Sequence, residues 1–230
     1  MSKEELFAAL EKAILDGDAE AARAAAEDVL ASGIDPLEAI EQGAMKGLDL
    51  LGERYQRLEA FLPELYWGGE AMKACTAILK SHIEQEGMDK LSLGKVVIGS
   101  IFGDVHDIGK NLVATTLSVN RFDVLDLGVN VPVNQFIHKA EEIGANVIAI
   151  SALLTTTAFY QRELIQNLKE IGLRGKYYVV VGGAPITPQW ATQIGADGYG
   201  QTAIDGVQCC KRLVSEGVPP PLPQPIIVRQ

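Results

Sequence analysis

The feature that most restricts the fold is a regular alternation of apolar runs and amphipathic stretches in the second half of the chain. Apolar runs of strand length lie at 96–101, 122–127, 147–151 and 177–181, with a short fifth near 197–200. Stretches with helical periodicity lie between and after them, near 109–120, 132–143, 158–171, 188–194 and 203–215. Apolar strands that alternate with helices indicate a parallel sheet covered on both faces. The pattern predicts a doubly wound, five-stranded α/β domain of the Rossmann or flavodoxin-like class, which binds ligands at the carboxyl ends of its strands.

The first part of the chain is predicted to be helical throughout. Apolar residues recur at helical spacing from the start, for example at Leu6 and Leu10. Asp35 followed by Pro36 is typical of a helix start, with a capping side chain and a proline in the first turn. Four helices with short connections predict an antiparallel bundle, whose last helix ends near residue 86. The third helix is expected to turn these apolar side chains inward: Ile40, Met45, Leu48 and Leu51.

Three segments follow from these patterns. We expect a helical bundle over 1–88, an α/β domain over 94–217 and a proline-rich tail over 218–230, with a glycine-flanked linker at 87–94. Because the tail carries five prolines, we expect it to be extended and poorly ordered. Residues 1–90 carry 19 acidic and 9 basic side chains, whereas residues 91–230 carry 11 of each. The acidic excess either attracts a basic partner or is ordinary solubilising charge.

Composition excludes several classes of protein. The net charge of −10 disfavours a nucleic-acid binder, because neutralising phosphates requires clustered Lys and Arg. No apolar run approaches the roughly 18 residues of a membrane span, and the N-terminus lacks a signal-peptide pattern, so we expect no membrane partner. Three cysteines, two of them adjacent, are typical of a reducing compartment. We therefore expect a cytoplasmic protein.

A histidine follows the first predicted strand. Asp104 lies two residues before His106, and Asp107 lies directly after it. A neutral imidazole is the commonest metal ligand, and a carboxylate on its second ring nitrogen fixes the tautomer. Asp104 can supply that carboxylate, whereas Asp107 can instead cap the following helix. A histidine that only fills the loop is the competing interpretation.

Small and hydroxyl side chains follow the later strands. Ser151 and the three threonines at 155–157 place four hydroxyls within seven residues after the third strand, and Gly182 and Gly183 follow the fourth. Because the carboxyl ends of parallel strands share one edge of the sheet, we expect these residues and His106 to line one long slot. A helix cap and an ordinary turn are the competing interpretations. The chain has no Gly-x-Gly-x-x-Gly or Walker sequence, which disfavours nucleotide sites of those types.

Together these residues resemble the signature of cobalamin-binding proteins. Its elements are Asp104-x-His106-x-x-Gly109, then Ser151-x-Leu153, then Gly182-Gly183, in this order along one α/β pattern. Residues 50–55 and 61–64 are similar to the helical cap that precedes this domain in methionine synthase and in corrinoid methyl-carrier proteins. The resemblance covers roughly residues 3–215. It implies that the α/β domain binds cobalamin, as methylcobalamin or a related corrinoid, and that the bundle covers the cofactor.

The resemblance also implies residue roles. His106 would be the lower axial ligand of cobalt, in place of the cofactor's own dimethylbenzimidazole, which is base-off, His-on binding. Asp104 would hydrogen-bond His106, and Thr157 would hydrogen-bond Asp104. The displaced nucleotide tail of the cofactor would lie in the slot. The other cofactor-binding residues that the resemblance implies are Gly103, Val105, Asp107 and Gly109 near the corrin, and Ser151, Leu153, Thr155, Gly182, Gly183 and Ala203 along the tail.

Three residues of the bundle match family positions as well. Tyr55 and Leu62 match the positions that cover the upper face of cobalt, and Glu41 matches an acid that contacts the corrin. Tyr55 departs from the phenylalanine of methionine synthase, and its hydroxyl is compatible with an apolar cover.

The resemblance implies a corrinoid protein that carries a methyl group on cobalt between two methyltransferases. The first would be specific for the methyl donor, and the second would use tetrahydrofolate or coenzyme M as acceptor. Since 230 residues leave no room for a further catalytic barrel of about 250 residues, we expect the donor and acceptor sites on other chains. The protein would then be a component of an enzyme system, with a reductive activation protein as a further partner. The pattern does not distinguish methanol, methylamines, betaines and aryl methyl ethers as donors.

Other functions share parts of the pattern. The cobalamin-binding subunit of an adenosylcobalamin mutase has the Asp-x-His-x-x-Gly signature but not the preceding bundle. A cobalamin-dependent regulator has a bundle but also a basic DNA-reading helix. An excised cobalamin region of methionine synthase and an α/β signalling domain without cobalamin are the remaining alternatives.

Overall fold

The computed structural model of the chain describes residues 1–80, 82 and 92–228. Two compact units make up the molecule. The helical unit comprises Met1–Ser92 and Ser118–Arg121, and the α/β unit comprises Leu93–Leu117 and the chain from Phe122 onward. The predicted linker at 87–94 and the end of the predicted fourth helix lie largely outside the described residues.

The described part of the helical unit contains five α-helices. They are α1 (Lys3–Leu15), α2 (Ala19–Ala31), α3 (Pro36–Ala39), α4 (Met45–Gln56) and α5 (Leu62–Lys80), with a π-helical turn, Ile40–Ala44, between α3 and α4. The predicted third helix is therefore α3, the π-turn and α4 in sequence. Asp35 caps α3 through its side chain, which accepts a hydrogen bond from the Leu37 N–H.

The apolar stripes of these helices meet in one core. The four residues that were expected to face inward from the third helix are all buried. They pack with apolar residues of the neighbouring helices α1, α2 and α5. Burial of each such side chain is worth about 1.5–3 kcal/mol. Helical periodicity is therefore the physical basis of this unit, as the sequence predicts.

The α/β unit is a parallel sheet with helices on both faces. Its strands are β1 (Gly94–Ser100), β2 (Phe122–Asp126), β3 (Val147–Ser151), β4 (Tyr178–Gly182), β5 (Gly198–Gly200) and β6 (Ile226–Val228), in the order β2-β1-β3-β4-β5-β6. Its helices are α6 (Ile108–Val119), α7 (Val133–Ile143), α8 (Thr155–Glu170), α9 (Pro188–Ile194) and α10 (Ala203–Glu216). One apolar core joins the sheet to α7, α8 and α9, and a second joins it to α6 and α10. The strand order reverses between β1 and β3, which is where doubly wound sheets bind ligands.

The C-terminal tail differs from the prediction, because part of it forms a strand. Instead of being poorly ordered, it adds a sixth strand, β6, which pairs in parallel with β5. The Leu222 N–H donates to Asp197 Oδ1 and the Ile226 N–H donates to the Asp197 carbonyl oxygen, each at 2.8 Å. Three apolar residues after a proline-rich stretch are too short a run to indicate a strand. They nevertheless form a strand, because the open edge of β5 has unpaired backbone groups that need hydrogen-bond partners.

No helix in the described part of the chain combines the length and hydropathy that a membrane span requires.

Candidate functional site

A cavity of about 560 Å³ lies at the carboxyl ends of β1, β3, β4 and β5, against helices α6 and α10. This volume is within the range of small-molecule sites. Nine of the predicted site residues line it: Val105, His106, Asp107, Gly109, Ser151, Leu153, Gly182, Gly183 and Ala203. Thr155 is not among the lining residues and is exposed at the start of α8. The sequence thus anticipated nine of the 23 residues that line the cavity, all of them at or after strand ends.

His106 and Asp104 form a direct pair in the loop after β1. His106 Nδ1 lies 2.8 Å from Asp104 Oδ1, and the His106 N–H donates to the same oxygen at 3.1 Å. The Asp104 side chain is buried, whereas the imidazole is about half exposed at the cavity. The Ser100 hydroxyl donates to the His106 carbonyl oxygen at 2.6 Å and holds the loop against the end of β1. The geometry therefore supports an orienting role of Asp104 toward His106.

The second carboxylate oxygen of Asp104 is bound from the start of α8. Asp104 Oδ2 accepts hydrogen bonds from the Thr157 hydroxyl at 2.8 Å, the Leu153 N–H at 2.6 Å and the Leu154 N–H at 3.3 Å. Leu154 occupies the N-cap position of α8 but has no capping side chain. A carboxylate from another loop caps this helix instead, where the helix dipole favours a negative charge. The hydroxyl run after β3 therefore does not supply an ordinary local cap.

These contacts determine the charge of Asp104. Burial by itself would raise the pKa of the carboxyl, but its hydrogen bonds, led by the one from the Leu153 N–H, lower that pKa to about 2. Asp104 is consequently ionised at neutral pH and can only accept hydrogen bonds. His106 Nδ1 must then be the donor, so in the neutral form of the imidazole the lone pair lies on Nε2. An imidazole with its free lone pair on Nε2 at a cavity is the form that binds a metal ion.

Backbone atoms form the wall of the cavity at the end of β4. Gly183 has φ +125°, and a Cβ built on it would lie 1.9 Å from the Ala152 carbonyl oxygen. Any side chain there would separate the loops after β3 and β4. Gly182 and Gly200 also line the cavity, which keeps this part of it free of side chains. The glycine pair is therefore required by close backbone contact and by the open slot.

Two residues near the site were not predicted. Gln161 is buried on α8, donates to the Ile150 and Gly182 carbonyl oxygens, and accepts from Trp190 Nε1, so it ties β3 and β4 to the helices beside them. The sequence contained a signal for Gln161, because an amide side chain there interrupts the apolar stripe of α8. Lys110 lines the cavity and pairs with Asp126. It follows the Asp-x-His-x-x-Gly element directly, but nothing local indicates its partner.

The three predicted residues of the helical unit lie on different elements. Glu41 is exposed within the π-turn, and π-turns occur often at functional sites. Tyr55 is partly buried against the bundle core, and Leu62 is 41% exposed at the first position of α5. Their contacts with a cofactor stay a prediction.

Comparison with known proteins assigns the family. Residues 94–208 and residues 6–80 each match a family described as a B12 binding domain. Trimethylamine corrinoid protein 1 of Methanosarcina acetivorans is 45% identical over 206 residues, which cover 90% of this chain and 95% of the relative. The dimethylamine corrinoid protein of Methanosarcina barkeri is 43% identical over 215 residues, or 94% of this chain and 100% of the relative. The chain belongs to the corrinoid protein family.

Solved structures support the assignment of this corrinoid protein. The methanol:cobalamin methyltransferase complex MtaBC from Methanosarcina barkeri matches with a TM-score of 0.85 and 27% identity, covering 95% of this chain and 82% of the matched chain. A cobalamin-binding protein from Desulfitobacterium hafniense matches with a TM-score of 0.66 and 31% identity, covering 90% and 98%. The predicted fold class, corrinoid cofactor and methyl-carrier function are confirmed.

The residues in the α/β unit fit a corrinoid. His106 offers Nε2 at one end of the cavity, and the wall beyond it is apolar and glycine-lined. Such a wall suits an uncharged aromatic base and its ribose better than a metal ion held by carboxylates. The slot together with the loop of His106 is therefore the candidate cofactor site of this corrinoid protein.

Proposed function

We propose that this corrinoid protein carries methyl groups that originate from a methylated amine, and that it binds its cofactor with His106 as the lower axial ligand of cobalt. The observation that carries the second part is the orientation of His106 by Asp104, which occupies Nδ1 and leaves Nε2 as the ring nitrogen available to a ligand. The identity of 43–45% to proteins named trimethylamine and dimethylamine corrinoid proteins, over nearly their full length, supports the amine as donor.

The residues around His106 act by holding protons and fixing geometry. When bound, the corrinoid supplies a cobalt ion that can hold and release a methyl group. Asp104 accepts a hydrogen bond from His106 Nδ1 and thereby fixes the orientation of the imidazole. Thr157 and the N-terminus of α8 keep the Asp104 carboxylate in place and ionised. The lining of the slot is mainly apolar, which would shield a group bound there from water.

The remaining predicted residues receive roles on the same basis. Ser151, Leu153, Gly182, Gly183 and Ala203 line the slot that takes the nucleotide tail. Val105, Asp107 and Gly109 lie at the loop of His106, where the corrin ring would rest. Gly103 and Thr155 stay proposed contacts that do not line the cavity, and Glu41, Tyr55 and Leu62 stay proposed contacts from the helical unit.

Electron paramagnetic resonance tests the axial ligand. The protein is loaded with cobalamin, reduced to Co(II), and compared with and without nitrogen-15 histidine. We expect the nitrogen splitting to change on labelling in the wild type and in the control His138→Ala, whose imidazole is exposed on α7. The change should be absent in His106→Ala. A labelling effect that persists in His106→Ala would contradict the proposed ligand.

Methyl transfer tests the donor. The Co(I) form of the loaded protein is incubated with a trimethylamine, a dimethylamine or a methanol methyltransferase and its substrate, and methylation is followed by absorbance. We expect an amine enzyme to methylate it at least tenfold faster than the methanol enzyme. The reverse preference would overturn the proposed donor without affecting the axial ligand.

The acceptor and the further partner are proposed as well. A second methyltransferase would pass the methyl group to tetrahydrofolate or coenzyme M, and a reductive activation protein would restore the cofactor after oxidation. We also propose that the system is cytoplasmic, since the three cysteines are free thiols. Demethylation of the loaded protein by each acceptor enzyme distinguishes the two acceptors.

A further inference from the structure

An ion pair between a buried lysine and a partly exposed aspartate ties the start of α6 to the end of β2. Lys110 lies in the first turn of α6, and its side chain is only 1% exposed. Its ammonium donates to Asp126 Oδ2, in the last residue of β2, and to Asn111 Oδ1 at 2.6 Å. Burying an ammonium costs several kcal/mol, which is offset only if its partners are well placed. The helix dipole also disfavours a cation in the first turn of a helix. Stability of α6 therefore does not explain why a lysine is here.

A second tie joins the loop after β2 to the loop of His106. Asn130 has φ +54°, a left-handed conformation that Asn adopts more readily than most residues. Its side-chain oxygen accepts a hydrogen bond from the Gly103 N–H, and its own N–H donates to the Asp104 carbonyl oxygen, both at 2.8 Å. Asn130 therefore holds the two residues that precede Val105 and His106.

The loop of His106 is thus held from two sides. The start of α8 binds the Asp104 carboxylate, as described above. On the other side, Asp126 and Asn130 hold the loop at its two ends, at Lys110 and at Gly103. We refer to Lys110, Asp126 and Asn130 as the β2 brace. A loop pinned at both ends loses little conformational entropy when His106 binds, because its conformation is already set.

We propose that the β2 brace positions His106 for axial ligation, so that its residues act as positioning residues although they are not ligands. This inference rests on the proposed role of His106. It explains why the buried Lys110 ammonium pairs with Asp126 and why a left-handed residue follows β2. Outer-shell groups that orient a metal ligand typically affect metal affinity by 10- to 100-fold.

The sharpest test replaces Asn130. Asn130→Gly keeps the left-handed backbone and the N–H of the residue but removes the acceptor for the Gly103 N–H. Asn130→Asp retains an acceptor at the same place. Arg121→Gly is the matched control, because Arg121 is also left-handed (φ +65°) but lies before β2. The readouts are the nitrogen splitting of the Co(II) form and the dissociation rate of bound cobalamin, measured by exchange against excess labelled cofactor.

We expect Asn130→Gly to lose most of the histidine nitrogen splitting and to release cobalamin about tenfold faster than the wild type. Asn130→Asp and Arg121→Gly should stay within about twofold of the wild type on the scale of such effects. An Asn130→Gly variant that retains both the splitting and the slow release would overturn the inference. If the wild type itself shows no histidine splitting, the proposed axial ligand fails instead, so the two failures are distinguishable.

The ion pair is tested by separating charge burial from positioning. Lys110→Met removes the tie but leaves Asp126, which is partly exposed, to be solvated. Asp126→Asn leaves the Lys110 ammonium buried, and the double variant removes both charges. If the pair positions the loop, the double variant recovers thermal stability relative to Asp126→Asn but not the histidine splitting. Recovery of the splitting together with stability would show that the pair has a structural role only and would overturn its assignment.

Discussion

Asp104 receives hydrogen bonds from its own loop and from residues that lie far away along the chain. One oxygen binds His106 and the other binds the start of α8, where Thr157 is 53 residues away in sequence. A buried carboxylate is stable only if its oxygens are satisfied in this way. Thr157 and His106 bind different oxygens of Asp104. Because Thr157 helps to hold the carboxylate in place, we expect it to contribute to the orientation of His106.

Thr157 is expected to tolerate serine but not alanine. Thr157→Ser keeps the hydroxyl that donates to Asp104 Oδ2, whereas Thr157→Ala removes a hydrogen bond to a buried charge. We expect Thr157→Ala to lower the free energy of unfolding of the cofactor-free protein by about 1.5–3 kcal/mol, and Thr157→Ser by clearly less. Urea denaturation measures both. Equal losses in the two variants would show that the methyl group, not the hydroxyl, is important.

The low pKa of Asp104 predicts a dependence of stability on acid. Because its folded pKa is about 2 and the unfolded value of an aspartate is about 3.9, its ionised form contributes stability above about pH 4. That contribution, about 2 kcal/mol, is lost as pH falls towards 2.

The gap in unfolding free energy between the wild type and Asp104→Asn should therefore narrow between pH 5 and pH 2. Asp123→Asn, at an exposed position of β2, serves as the control and should not show this narrowing. A gap that stays constant with pH would contradict the assigned pKa of Asp104.

At the scale of the elements, β6 is a strand that the sequence did not predict, and it extends the sheet from five strands to six. It covers the edge of β5, and it does so next to residues that line the cavity, since the Gln201 N–H donates to the Val228 carbonyl oxygen. Asp197 accepts a hydrogen bond from the Leu222 N–H and forms an ion pair with Arg174. These contacts connect the tail to the buried pair of Arg174 and Asp197. The tail is therefore part of the α/β unit.

Truncation of Ile226 measures how firmly β6 is held. Ile226 is 8% exposed and belongs to the core that joins the sheet to α6 and α10. We expect Ile226→Ala to lower the free energy of unfolding by about 2–4 kcal/mol. Val218→Ala, at a 48% exposed position where the tail begins, should cost less than about 0.5 kcal/mol. Similar small losses in both variants would indicate a loosely attached tail.

At the scale of the whole molecule, each unit contains its own buried thiols. Burial raises the pKa of Cys75, in the helical unit, to about 11, and that of Cys209, in the α/β unit, to about 12. Burial also raises the pKa of Cys210 well above its usual value. Because thiolates are the reactive form, all three should react slowly with alkylating reagents near pH 8 unless the unit around them opens.

Thiol labelling then reports the opening of each unit separately. In moderate urea, bound cobalamin should slow the labelling of Cys209 and Cys210 by the factor by which the ligand stabilises the folded α/β unit. Cys75 should be protected as well if Tyr55 and Leu62 contact the cofactor, and its protection should then weaken in Leu62→Ala. Peptide mass spectrometry after timed alkylation measures both sites. Unchanged labelling of Cys209 and Cys210 on cofactor binding would contradict the position of the slot.

Much of the fold and site could be predicted because it depends on local signals. Helical and strand periodicity predicted the bundle and the first five strands. Small or hydroxyl residues at strand ends, together with the resemblance to cobalamin-binding proteins, predicted part of the cavity wall. The π-turn around Glu41, the strand β6 and the contacts of Asn130 gave no such signal. The strand β6 and the contacts of Asn130 depend on hydrogen-bond partners that are distant in sequence, so no local pattern indicates them.

The sequence by itself determined the class of fold and the loop that carries His106, because residue type and spacing are sufficient for these, and its resemblance to cobalamin-binding proteins implied the cofactor. Only the tertiary structure decided that Asp104 caps α8 while it orients His106, and that Lys110 meets Asp126. Pairing of buried charges depends on which side chains the packed sheet and helices bring within about 3 Å, the length of a hydrogen bond. That proximity is a property of the assembled fold and is not encoded in any one segment.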